Sequence, residues 1–151
     1  REKMKKIFSV LFAASTLFST PLFAKIEILN PWIRPSTGPN AALFMEGINT
    51  SEKPISLSSA HSDTSSRMEL HQHIEENGRM RMSQVETFKI PEQGKLALVP
   101  GDLHVMFMGI HRTFTEGETI HVTLTFEGEE SIKVAVPVKN GQTLSSHPSD
   151  T

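Results

Sequence analysis

Histidine and methionine are concentrated in two short stretches of this chain, and they are the residues best equipped for chemistry. One stretch runs His71-Gln72-His73-Ile74-Glu75-Glu76-Asn77-Gly78-Arg79-Met80-Arg81-Met82, the other His104-Val105-Met106-Phe107-Met108. Imidazole nitrogen and thioether sulfur together make a soft, neutral donor set suited to Cu(I); zinc more often recruits Cys, His and carboxylate. Neutral donors add no negative charge and so favour Cu(I) over Cu(II). The chain has seven Met, seven His and no Cys. That excludes disulfides, thiolate zinc sites, iron–sulfur clusters, cysteine nucleophiles and the Cys-ligated copper of electron-transfer proteins. Outside the cytoplasm a thioether site also avoids thiol oxidation and disulfide exchange.

The elements that carry these residues are strands. Asn77-Gly78 is a strong two-residue hairpin signal, because a type I′ turn needs positive φ at both positions. With that turn, Glu76 pairs with Arg79, His73 faces Met82 and His71 faces Gln84. His71 is then diagonal to Met82, within ~7–8 Å. Alternation sorts the hairpin into two faces. Met68, Leu70, Gln72 and Ile74 with Arg81, Ser83 and Val85 form an imperfect core face. Arg67, Glu69, His71, His73 and Glu75 with Met80, Met82, Gln84 and Glu86 form the other, polar but for two methionines beside two histidines. In the second stretch Leu103, Val105 and Phe107 alternate as core residues, which sends His104, Met106 and Met108 to the opposite face. Methionine normally fills cores, so its appearance beside histidine on the non-core faces of three strands points to a ligand site.

The rest of the chain follows the same period of two. Short alternating runs are expected to be strands at Ile26–Leu29, Ala41–Ile48, Ile55–Ala60, Met68–Ile74, Arg79–Val85, Leu96–Val99, Leu103–Gly109, Thr119–Phe126 and Ser131–Val138. Prolines 31, 35, 39, 54, 91, 100 and 137 are expected at strand ends or in loops. Many short strands at this spacing predict two packed antiparallel sheets. Met45 and Met68 read as core, Trp32 as a packing anchor, and His61, His111 and His121 as ordinary loop or outward strand residues.

The 151 residues are about one domain, with 37% hydrophobic and 21% charged residues, which allows a core. A net charge of −2 argues against nucleic-acid binding. Met4–Ala24 has a positive start at Lys5 and Lys6, an apolar stretch over Ile7–Phe18, a break at Pro21 and a small residue at Ala24. This is a secretory signal pattern, too interrupted by Ser9, Ser15 and Thr16 for a spanning helix. Residues 1–24 are therefore expected to be a cleavable signal peptide starting at Met4, 25–139 a single β-sandwich domain, and 140–151 a loose polar tail. No Cys follows Ala24 to accept a lipid. After cleavage no membrane span is expected, and the protein should be a periplasmic monomer.

The same residues resemble the PCu(A)C family of periplasmic copper chaperones. The family motif is a His, ten residues, a Met, twenty-one residues, then His-x-Met. His71, Met82 and His104-Val105-Met106 match it at every position. Trp32-Ile33-Arg34, Ala41-Ala42-Leu43-Phe44 with Asn49, Met68-Glu69-Leu70-His71 and Pro100-Gly101-Asp102-Leu103 are similar as well. The resemblance covers roughly residues 25–138. It implies an all-β, cupredoxin-like Greek-key β-sandwich. It also implies Cu(I) bound by His71, Met82, His104 and Met106, with Cu(II) bound more weakly. The implied role is delivery to the copper A centre of cytochrome c oxidase, directly or through a thiol-bearing copper chaperone. Two departures stand out. His73 occupies a position where Met is common in the family, and Asp102 one where Gly is frequent. The tail has only His147, so a second His/Met-rich metal site is not expected there.

Three other roles fit parts of this pattern: a copper store or scavenger, a metal-free β-sandwich that recognises a protein surface, and a metalloenzyme with an open metal position. No Ser-His-Asp order, phosphate loop or paired-carboxylate cleft stands out, so no enzymatic activity is expected.

Overall fold

The computed structural model describes residues 25–141; the expected signal peptide and all but the first two residues of the expected tail lie outside that range. Ten strands are present among the described residues: β1 (Ile26–Ile33), β2 (Asn40–Asn49), β3 (Ile55–His61), β4 (Ser65–Glu76), β5 (Arg79–Val85), β6 (Phe88–Ile90), β7 (Lys95–Leu98), β8 (His104–Ile110), β9 (Thr119–Phe126) and β10 (Ile132–Pro137). A six-stranded sheet has the order β1-β2-β8-β4-β5, with β7 pairing the far half of β2. A four-stranded sheet has the order β10-β9-β3-β6. All these pairings are antiparallel. The two packed antiparallel sheets expected from the alternating runs are therefore present, and the all-β, cupredoxin-like Greek-key sandwich that the resemblance implied is the fold. Among the described residues no helix is long and apolar enough to cross a membrane.

Alternation explains the core. Ile120, Val122, Leu124 and Phe126 of β9 are buried on the inner face of the smaller sheet, opposite Leu43, Leu70, Val105 and Phe107 of the larger one. Phe107 meets Phe114 edge to face at 5.2 Å, a favoured aromatic geometry. Asn77 (φ 53°) and Gly78 (φ 76°) make the tight turn of the β4–β5 hairpin, and Glu76 pairs with Arg79 as the turn requires.

The structure corrects the sequence reading in three places. Pro31 is not at a strand end: it lies within β1, at a bulge where the pairing with β2 shifts by one residue between Leu29 and Trp32. Asn30 has φ 50° there. The shift reverses which residues face inward, as one extra residue in a period of two must. Ile26 is in the core before it and Ile33 after it, leaving Trp32 on the outer face opposite Phe44. Second, β6 was not expected; three residues are too few to show a period, although Phe88 and Ile90 are both buried. Third, β4 is longer than its apolar run at both ends, because β5 and β8 supply partners on either side.

Asn49 closes the far end of β2. Its buried Nδ2 donates to the carbonyls of Lys53, Ile90 and Pro91, and its Oδ1 accepts from Ser51. Phe107 supports the opposite end of the larger sheet from within. Phe107→Ala should cost about 3–5 kcal/mol by urea denaturation, as for other buried aromatic truncations. Met80→Ala, at an exposed position, should stay within about 0.5 kcal/mol.

Candidate metal centre

β4 and β8 place His71 directly opposite His104. The adjacent pair, Leu70 and Val105, points into the core, so alternation turns both imidazoles to the outer face of the six-stranded sheet. Their ring centres are 5.5 Å apart. On the other side of β8, the Phe44 ring lies 6.2 Å from His104 and 4.7 Å from Trp32, and the Arg34 guanidinium sits 5.5 Å over Phe44. The bulge in β1 is what brings Trp32 to this face. These neighbours leave His104 only 3% exposed and His71 9%.

Each ring has one nitrogen engaged, and the partner decides which nitrogen is free. His104 Nδ1 lies 2.9 Å from the Asp102 carbonyl oxygen. A carbonyl only accepts, so Nδ1 carries the proton of the neutral ring and Nε2 keeps its lone pair. His71 Nε2 lies 2.8 Å from Glu69 Oε2. Here Nε2–H donates to the carboxylate and Nδ1 keeps the lone pair. That Nδ1 is buried and has no hydrogen-bond partner. Leaving a buried polar atom unpaired costs roughly 1–3 kcal/mol, a cost that a bound metal ion would relieve. Glu69 is anchored in turn by Arg67, whose Nε donates to Oε1 at 3.0 Å. A carboxylate that orients an imidazole and fixes its tautomer is a common arrangement behind metal-binding histidines.

The methionines flank the two rings. Met106 stands two residues along β8 from His104, opposite Glu69 on one side and Ala42 on the other. The single methyl of Ala42 leaves room on this face for a long thioether. Met82 pairs with His73 and is diagonal to His71; it is 47% exposed. Met108 lies a row further off, opposite Arg67 and Asn40. The four expected residues thus share one face around the His71–His104 row. His73 joins them, its ring centre 5.4 Å from His104. The donors gathered on this face are therefore imidazoles and thioethers.

Two contributors had not been singled out from the sequence. Glu69 had a signal: it shares a face with His71 at a spacing of two on a strand, within hydrogen-bonding reach. The Asp102 carbonyl had none, because a backbone acceptor is invisible in residue types.

The electrostatics favour neutral imidazole. Burial lowers the His104 pKa from its ordinary 6.5, the Asp102 hydrogen bond opposes this, and His71, His73 and Arg34 lower it further. The hydrogen bonds from His71 and then Arg67 hold the Glu69 carboxyl below its ordinary 4.5. Both shifts have the same consequence for stability. The unfolded chain takes up the proton at a higher pH than the folded one, so folding is favoured most above the unfolded pKa and loses stability as pH falls through the interval to the folded value. The melting temperature of the metal-free protein should therefore begin to fall near pH 6.5, with a second loss below about 4.5. In thermal melts across this range, His104→Asn, which keeps a donor for Asp102 but does not titrate, should remove the first part and keep the second.

Comparison with known proteins gives the family and the fold. Residues 26–138 match the family described as putative lipoprotein LpqE-like. A putative lipoprotein of Leifsonia xyli subsp. xyli is 31% identical over 116 residues, spanning 76% of this chain and 70% of the relative. Among solved structures, the Cu(I) form of DR1885 from Deinococcus radiodurans is 28% identical with a TM-score of 0.56, covering 76% of this chain and 79% of that one. The copper-bound PCuAC domain from PmoF2 shares the fold with a TM-score of 0.66 at 22% identity, covering 76% and 92% of the two chains. The family match spans nearly all the described residues, and the copper-bound PCuAC domain shares the fold: the chain belongs to the LpqE-like family.

Proposed function

We propose that this protein is a copper chaperone of the cell envelope. It holds one Cu(I) through His71 Nδ1, His104 Nε2, Met82 and Met106, binds Cu(II) more weakly, and works in the periplasm after loss of residues 1–24. The observation that carries this reading is the buried, unpartnered Nδ1 of His71 beside the His104 ring, with thioethers on both flanks of the pair. Two imidazole lone pairs and two thioethers make a neutral, soft donor set, the kind that favours Cu(I). The Cu(I)-bound Deinococcus relative supports the same cargo at 28% identity.

The acceptor that fits this chemistry is a periplasm-facing site with thiolates, namely the copper A centre of cytochrome c oxidase, reached directly or through a thiol-bearing chaperone. Thiolate binds Cu(I) more strongly than thioether, so transfer toward Cys runs downhill. An exposed Met82 is open to replacement by an incoming sulfur before the buried histidines let go. Such ligand exchange needs no catalytic residue and releases no free ion.

Met82→Ala and Met106→Ala should each weaken Cu(I) retention against a Cu(I)-specific chelator by about tenfold or more, a change of roughly 1.4 kcal/mol. Their melting temperatures should stay near wild type, because neither side chain belongs to the core. Unchanged retention in both variants would sink the ligand assignment. Deletion in a copper-limited cell should lower oxidase activity, and added copper should restore it. Normal oxidase assembly under limitation, with no transfer from loaded protein to an apo copper A domain, would instead make the protein a copper store.

A further inference from the structure

We propose that the site offers one Cu(I) ion two successive positions, an inner one between His71 and His104 and an outer one between His73 and His104, and that His73 is the ligand through which the ion leaves. This deepens the copper reading above and rests on it.

The geometry supplies both positions. The His104 ring centre lies 5.5 Å from that of His71 and 5.4 Å from that of His73. Two imidazoles that share an ion at a metal–nitrogen distance of ~2 Å have ring centres roughly 5 Å apart. Either pair is close to that separation. The two pairs share His104, so an ion held there can exchange one outer partner for the other without leaving it.

The two outer partners of His104 differ in how they are held. His71 is buried, and Glu69 fixes its ring through the 2.8 Å hydrogen bond. His73 is half-buried, and among the described residues its ring makes no hydrogen bond. One imidazole is set to receive the ion and keep it; the other is free to turn toward it and away again. Met82 serves both positions, since it sits directly opposite His73 and diagonal to His71. A step from inner to outer position swings the ion about His104, by no more than about 4 Å at a metal–nitrogen distance of ~2 Å, toward the exposed end of the β4–β5 hairpin. His104 and Met82 stay bound during that step. The His73 nitrogen replaces that of His71, the bond to Met106 on the far side of the His71–His104 row is given up, and copper keeps its oxidation state. In the outer position the ion lies next to a methionine that is 47% exposed, where a partner's thiolate can reach it.

The test uses the full chain loaded with Cu(I) under anaerobic conditions. Retention is titrated with bicinchoninate, and transfer to a Cys-x-x-Cys peptide is followed by stopped flow. In His73→Ala, transfer should slow by about tenfold while retention stays within about threefold of wild type. In His73→Met, a soft donor remains at the same place on the strand and the transfer rate should return to the wild-type value, a rescue that a purely structural role would not predict. His71→Ala should lose retention far more heavily than His73→Ala. Transfer from His73→Ala at or above the wild-type rate would overturn the proposal. So would a loss of retention equal to that of His71→Ala, which would make His73 a resident ligand. If the wild-type chain itself retains no Cu(I), the copper reading has failed, an outcome separate from the failure of the relay.

Discussion

The pairing of β4 with β8 is the constraint on which this molecule turns. In one register, His71 meets His104 on the outer face and Leu70 meets Val105 in the core. A slip of β4 by one residue against β8 would turn its side chains over, burying His71 in the sandwich and exposing Leu70 while His104 stayed on the outer face. The hydrophobic core and the candidate metal centre are therefore specified by the same ladder. Burial of Leu70, Val105 and Phe107 holds the register, and the register places the donors.

Around that ladder the fold decides how each donor is presented. Both buried histidines spend one nitrogen on an acceptor close in sequence, the Asp102 carbonyl for His104 and the Glu69 carboxylate for His71. Different nitrogens are engaged, so different nitrogens are left with lone pairs. The Arg67–Glu69 ion pair extends this support along β4. On the far side of His104, the wall of Phe44 and Trp32 helps to bury the ring, and burial lowers its pKa. That wall depends on a single inserted residue in β1, without which Trp32 would point into the sandwich. Support is strongest at the inner end of the site and weakest at the hairpin, where Met80 and Met82 are exposed. A site graded in this way fits the proposed carrier role, with its supported end at the paired histidines and its open end at the hairpin.

The sequence by itself determined what could be read from neighbours along the chain. Period-two alternation assigned inner and outer faces to β9, β10, β4 and β8, and the buried residues follow that assignment. Asn77-Gly78 set the hairpin register, because a two-residue turn leaves no freedom in the pairing beyond it. The absence of Cys and the company of His with Met limited the donor chemistry to soft neutral ligands. Tertiary structure decided what depends on partners distant in sequence. It inserted β8 between β2 and β4, and so brought His104 as close to His73 as to His71. It placed Pro31 at a bulge inside a strand rather than at its end. It made a carboxylate and a backbone carbonyl choose the free nitrogen of each ring. Local pattern tells which side of a strand a residue occupies; which strand lies alongside is settled only when two sheets bury their inner faces together, and the geometry of a site shared by three strands is set at that step.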